Sequence, residues 1–181
     1  MKKRNNLILL LTISAISAAL YVILDQLLVI NIATLKITLN ALPLIIVTLL
    51  YGTKTGFITA ILATFISQVI GFGIAPLTIL WMLPEIIRVL IVGIFNKKTN
   101  SNKIIMTIVI ILSSIIITMI NTGVIALDAL IYNYYSKAYV FGNLIFRIIA
   151  GIISGIIYAI ICPIIVNAIK PQFIKKGEKY E

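Results

Sequence analysis

The chain has 181 residues, 61% hydrophobic and 11% charged, with a mean hydropathy of +1.17. A soluble domain is nearer roughly 45–50% apolar and 25% charged, so this composition excludes a sizeable soluble domain and describes one integral membrane domain with room for about five to seven spans. The net charge of +10 comes from 15 Lys and Arg against 5 Asp and Glu; in a soluble chain it would point to nucleic acid, but here the charge lies at span ends and topology explains it, so no nucleic-acid partner is expected.

The first span is predicted over residues 7–28. Lys2, Lys3 and Arg4 followed by an apolar run resemble a secretory leader, but apolarity continues to Ile32 and more spans follow, so an uncleaved helix is expected. Ser14, Ala15, Ala18 and Ala19 are small, and Ser14/Ala18 and Ala15/Ala19 are each four apart. That small-xxx-small spacing lets a second helix approach closely. A loop with Asn31 and Lys36 leads into a second span, 36–51, which is short and interrupted by Asn40 and Pro43. GTKTG, residues 52–56, reads as a tight turn before a third span, 57–70, with Gln68 near its end. Gly71 and Gly73 form the next turn, and the fourth span is 76–95. NKKTNSNK, residues 96–103, is a basic loop. The fifth span, 104–127, carries Asn121 and Thr122 in its last third, and DALIYNYYSKAY, residues 128–139, brings Asp128 and four tyrosines. The sixth, 140–169, starts with Asn143 and Arg147, has Gly151 and Gly155 four apart, and is open to a break at Pro163. These six spans make one transmembrane domain over 1–181, an all-α bundle.

The fourth span holds the chemistry. Glu85 and Arg88 are three residues apart and share one helix face; each is costly in hydrocarbon alone, and as a pair they must face protein or a water-filled cavity. Trp81 lies one turn before Glu85, and Pro84 removes a backbone donor and is expected to kink the helix. A flat ring, an acid and a base together suggest part of a polar site. Two plainer readings stand beside this one: an ion pair that only holds helices together, and a tryptophan that only anchors at the interface.

Charge orients the chain. With the N-terminus inside, the inner segments hold eleven basic residues and the outer loops two, Lys36 and Lys137; both termini are then cytoplasmic. In that frame Asp25, Gln26, Asn40, Gln68, Trp81, Asn121, Asp128, Tyr132, Tyr134, Tyr135, Tyr139, Asn143 and Arg147 fall in the outer half or outer loops. Glu85 and Arg88 lie near the middle, and the inner half is nearly pure Ile, Leu, Val and Ala. That pattern describes a pocket open outward and closed below, since a through-pore would be polar along its length. There is no His, and the lone Cys162 lies in an apolar run as an inert packed thiol; an internal disulfide, a His-ligated metal and His-based acid–base catalysis are excluded.

Six short helices, the small-residue stripe on the first and the outward pocket resemble the substrate-binding S component of energy-coupling factor (ECF) vitamin transporters. LKITLNALPLIIVTLLYGTKTGFITAILATFISQVI resembles the second and third helices of folate-type S components. APLTILWMLPEIIRVLIVGIF resembles the fourth helix of one branch, and NTGVIALDALIYNYY with FRIIAGIISGIIYAIICP resembles the fifth and sixth. The resemblance implies capture of a vitamin from outside, folate or a related pterin before pantothenate or biotin. It implies docking through Ala15 and Ala19, with Ser14 and Ala18 beside them, on a membrane coupling protein driven by two cytoplasmic ATPases. It implies release of the ligand inside as the whole subunit topples. The chain has no Walker motif, so ATP chemistry would belong to those partners and no cofactor is expected here. Candidate ligand-binding residues are Gln68, Trp81, Glu85, Arg88, Asn121, Asp128, Tyr135, Tyr139, Asn143 and Arg147: rings to stack, a carboxylate or amide to read a donor–acceptor edge, and arginines to hold a carboxylate. An intramembrane protease or lipid transferase would need clustered His, paired carboxylates or a nucleophile with its base, and only Asp25, Glu85 and Asp128 lie in or near the membrane. A non-catalytic assembly subunit, whose polar residues only pack, is the other class.

Overall fold

A computed structural model describes residues 2–27, 29–32, 35–95 and 102–174. Helix α1, Lys2–Gln26, is followed by strands β1, Val29–Ile32, and β2, Leu35–Thr38. Then come α2, Ala41–Phe72; α3, Thr78–Ile94; α4, Lys103–Ile131; the single-turn α5, Lys137–Phe141; and α6, Leu144–Ile174. The membrane domain is helical as expected. The region read as a loop around Asn31 and Lys36 is instead an antiparallel hairpin, with Val29 opposite Thr38 and Ile32 opposite Leu35.

The GTKTG turn is where α2 breaks. Gly52 has φ 84° and ψ 174°, a backbone conformation open essentially to glycine alone. Beyond it the chain folds back. A Cβ on Gly56 would collide with the Thr48 hydroxyl and lie 2.9 Å from Val89 Cγ1. On a straight helix residues 48 and 56 would stand about 12 Å apart, so the two arms of α2, 41–51 and 53–72, lie against each other. Gly73, φ 74°, ends the second arm with its N–H bonded to Val69 O at 3.0 Å.

Helices stack in chain order: α1 on α2, α2 on α3, α3 on α4, α4 on α6, with α6 also touching α2 and β2. One core joins Ala41, Ile45 and Leu49 of α2 to Val92 of α3, Ile110 of α4, and Tyr158 and Cys162 of α6. A second joins Ala18 and Tyr21 of α1 to Leu44, Ala60 and Ala63 of α2 and Val89 of α3. The glycines of α6 serve close packing as expected: a Cβ on Gly155 would lie 3.0 Å from Ser114 Cβ, and one on Gly151 would strike the Thr118 hydroxyl. Outward faces are apolar. Ile104, Ile108, Leu112, Ile116 and Met119 on α4, and Ile145, Ile149, Ile153, Ile156, Ile160 and Ile164 on α6, are all exposed at helical spacing. A soluble helix has its apolar stripe turned inward; these turn it outward, toward lipid. Among the described residues four segments are long and apolar enough to cross a membrane: Ile8–Gln26, Ala41–Phe72, Ile104–Ile131 and Lys137–Ile169.

One proline expectation is corrected. Helix α6 runs unbroken through Pro163; the interruption of the sixth span falls earlier, at Gly142 and Asn143 between α5 and α6. Pro84 lies inside α3, which continues on both sides of it.

Candidate functional site

Trp81, Glu85 and Arg88 fall at i, i+4 and i+7 on α3, one face of the helix. Midway along, Arg88 Nε donates to Glu85 Oε2 at 2.8 Å and Nη2 to Oε1 at 3.0 Å, a two-bond fork. Nη1 donates to Ser114 Oγ of α4 at 3.0 Å, and the guanidinium lies 5.5 Å from the ring centroid of Tyr158 on α6. Arg88 is 6% exposed. The Tyr158 hydroxyl donates to Thr38 O of β2 at 2.8 Å. All three nitrogens of this arginine therefore donate within the chain, and the pair ties α3 to α4 and α6. Of the sequence candidates, Glu85 and Arg88 come together as foreseen, but with each other as partners.

Two turns from Arg88, toward the hairpin end, Trp81 Nε1 donates to Asp128 Oδ1 at 3.3 Å. The Tyr134 hydroxyl donates to the other oxygen, Oδ2, and its ring meets Tyr139 edge-on, 5.5 Å between centroids at 84°. The bond to Asp128 pushes the Tyr134 phenol up to about 12, because the proton it shares would have to leave a carboxylate. The chain reaches this position through Asn133, which adopts a left-handed φ of 59° that asparagine tolerates. Tyr134 N–H bonds back to Ala129 O at 3.0 Å. Arg147, half-buried on the first turn of α6, donates from Nη1 to Val140 O at 3.2 Å and makes no ion pair among the described residues. Asn143 is half-buried, and its backbone carbonyl accepts the Arg147 N–H at 3.0 Å. Tyr135, Tyr139 and Asn121 are exposed and Gln68 half-buried. Thus Trp81, Asp128 and Tyr139 are joined across α3, α4 and α5, and Tyr134, seen in the sequence but not chosen, is the residue that links them; Asn143 and Arg147 stand at the start of α6, bonded to each other through the backbone and, from Arg147, to Val140.

A second polar node sits at the same end. Ser67 Oγ donates to Asp25 Oδ2, and Asn40 Nδ2 donates to Asp25 Oδ1 at 3.0 Å and to the Tyr21 hydroxyl at 3.2 Å. Gln26 Nε2 donates to Ser67 Oγ at 3.1 Å. This clamps the end of α1 to both arms of α2. Sequence reasoning noted Asp25, Gln26 and Asn40 as polar residues of this end but missed Tyr21, Ser67, Ser114 and Tyr158. The available signal was that a buried tyrosine hydroxyl needs a partner.

The small-residue stripe of α1 divides. Ser14 and Ala18 are 2% and 3% exposed and face the bundle with Ser17 and Tyr21, whereas Ala15 and Ala19 are exposed. Ser14 is therefore withdrawn from any docking face, and Ala18 reaches it only as the floor of a groove. That groove, of about 530 Å³, is lined by Ala15, Ala18, Ala19, Val22, Ile23, Leu62 and Ile66, between α1 and the second arm of α2.

A family model described as ECF transporter, substrate-specific component, matches residues 9–166. No curated protein matches the chain.

Proposed function

The chain belongs to the family of ECF transporter substrate-specific components, and from that premise we propose that it captures a vitamin, folate or a related pterin first, at the outer face of the cell membrane and delivers it inward. Membership makes the chain a transport subunit rather than an enzyme and implies association with an ECF module, a coupling protein with ATPases. The two arms of α2, with α1, α3, α4 and α6, form six membrane segments in our reading. The eleven-to-two basic bias sets both termini in the cytoplasm. The hairpin end, with Asp128 and Arg147, then faces outward.

The observation that carries the ligand reading is the group at that end: Trp81 bonded to Asp128 at 3.3 Å, Tyr134 and Tyr139 in ring contact, and Arg147 held by a backbone carbonyl rather than an acid. Rings, one carboxylate and one arginine suit a flat ligand with an acidic tail. Because Arg147 would hold any carboxylate, pantothenate and biotin are the second reading. Mass spectrometry of the small molecule released from gently purified protein tests both. A folate or pterin supports the first, another acidic vitamin replaces it with the second, and a protein that neither carries nor binds any vitamin is an assembly subunit.

A further inference from the structure

Both oxygens of the Asp128 carboxylate are already occupied, each by a donor from a different element. Oδ1 accepts from Trp81 Nε1 on α3 and Oδ2 from the Tyr134 hydroxyl in the link between α4 and α5. Two donors side by side on one carboxylate are what a bidentate partner offers. The two are not equally anchored. Trp81 lies within α3 and is half-buried, so helix geometry fixes it. Tyr134 is 45% exposed on a five-residue link, 132–136, all of which is exposed. Besides its hydroxyl it is held by one backbone bond to Ala129 O, at 3.0 Å, and by the edge contact with Tyr139. An exposed side chain on so short a tether can leave its carboxylate without disturbing a packed helix.

We propose that Asp128 is the specificity-determining residue of the outer site and reads a planar ligand edge carrying two parallel N–H donors, of the amidine, guanidine or 2-aminopyrimidine class. The Tyr134 hydroxyl on Oδ2 stands in for one donor of that edge. This rests on reading the chain as a capture subunit. A ligand of this class takes Oδ2 from Tyr134 and shares or takes Oδ1 from Trp81. The released Tyr134 ring, with Tyr139 beside it, is then free to cover the ligand face. The arrangement also screens ligands. A flat molecule whose edge offers only acceptors would leave the carboxylate facing lone pairs, and Tyr134 would keep its place.

The test uses the full chain in detergent and its single tryptophan, Trp81, as the reporter. Benzamidine is the probe; benzylamine, a cation without paired donors, and benzamide, a neutral amide, are controls. We expect benzamidine to change Trp81 emission saturably, and benzylamine and benzamide to do so at least tenfold more weakly. Asp128→Asn should weaken benzamidine tenfold or more, because an amide N–H then faces a ligand N–H. Tyr134→Phe should tighten it severalfold, because the internal competitor is gone. Equal binding of benzylamine would mean charge attraction alone and overturn the paired-donor reading. So would a silent wild type, or a Tyr134→Phe variant that binds no better or worse. If Asp128→Asn does not fold, Tyr134→Phe alone decides. The outcome separates from that of the proposed function: a released vitamin lacking paired N–H donors sinks this inference and leaves vitamin capture standing. A benzamidine response with the expected variants, in a protein that carries no vitamin, does the reverse.

Discussion

Replacing Arg88 by methionine keeps an apolar stem of similar length and deletes the cation. Glu85 is then stranded with its side chain 13% exposed, facing a site where its two charged hydrogen bonds, at 2.8 and 3.0 Å, used to be. Ser114 is not orphaned, because its hydroxyl keeps Ile110 O at 3.1 Å. Removing one member of a buried pair costs about 3–5 kcal/mol. At about 2–4 °C per kcal/mol for a chain of this size, the melting temperature of Arg88→Met should fall by roughly 6–20 °C. Adding Glu85→Gln removes the stranded charge and should recover most of the loss, since a buried pair exchanged for neutral groups of similar volume is often close to neutral. The assay is built in: Cys162 is the lone cysteine and fully buried, so a thiol-reactive fluorophore reports melting in detergent. Additive effects of the two substitutions would refute the reasoning, since a true pair must couple. So would unchanged melting of Arg88→Met with loss of vitamin binding, which would move Arg88 from the tie to the ligand.

Tryptophan at both Ala15 and Ala19, which are exposed, should abolish uptake while the purified protein still binds vitamin; equal loss of binding would make the stripe structural. Arg147→Ala should weaken vitamin binding by calorimetry roughly ten- to a hundredfold, for the loss of about 1.5–3 kcal/mol, with Arg147→Lys recovering part; an unchanged affinity removes Arg147 from the site. Gly52→Ala, forced to φ 84°, should cost about 1–3 kcal/mol in the same melting assay, and a neutral result would mean the arms do not fold back there. Tyr134, raised from 10.0 to about 12 by Asp128, holds its link in full below pH 10 and loses that hold as pH rises toward 12. The phenolate absorbance that disappears in Tyr134→Phe should therefore titrate near 12 in the parent and closer to 10 in Asp128→Asn, and identical titrations would refute the bond.

Much of this was legible because it is written in special residues. Two glycines flanking a lysine announced the break at Gly52, and the four-residue spacing of Gly151 and Gly155 announced a close helix contact. The hairpin was not legible, because VINIATLKIT lies between two apolar runs and its short alternation is lost among them. Nor was the phase of the α1 stripe. Ser14/Ala18 and Ala15/Ala19 have the same spacing, and neighbouring residues on a helix point about 100° apart. Only packing decides which pair turns inward, and the deciding contacts are with Leu44, Ala60 and Ala63, far along the chain. The partners of Arg88 were hidden for a similar reason: Ser114, next to Ser113, and Tyr158 lie in long apolar runs, and nothing local says that Ser114 and Tyr158 both meet α3.

The concentration of chemistry on α3 follows from its place in the stack. It is the helix that contacts α2 on one side and α4 on the other. Toward α2 it offers Val89, Val92 and Gly93, where a Cβ on Gly93 would lie 2.6 Å from Thr53 Cγ2, so that side is closely packed and leaves no room for a larger side chain at Gly93. Toward α4 and α6 it offers Trp81, Glu85 and Arg88, and each polar bond these three make across helices goes that way: to Asp128 and Ser114, with the Tyr158 ring under the guanidinium. One face thus carries a sealed tie at mid-depth and, two turns away, an indole reaching a carboxylate near the bundle end. The sealed tie fixes α3 against α4 and α6. A fixed α3 in turn holds Trp81 in register with Asp128, while the tyrosine on the other carboxylate oxygen hangs from an exposed link. The rigid partner and the replaceable partner of Asp128 are therefore set by the fold itself, and loosening Arg88 should blunt the Trp81 response before it unfolds the chain.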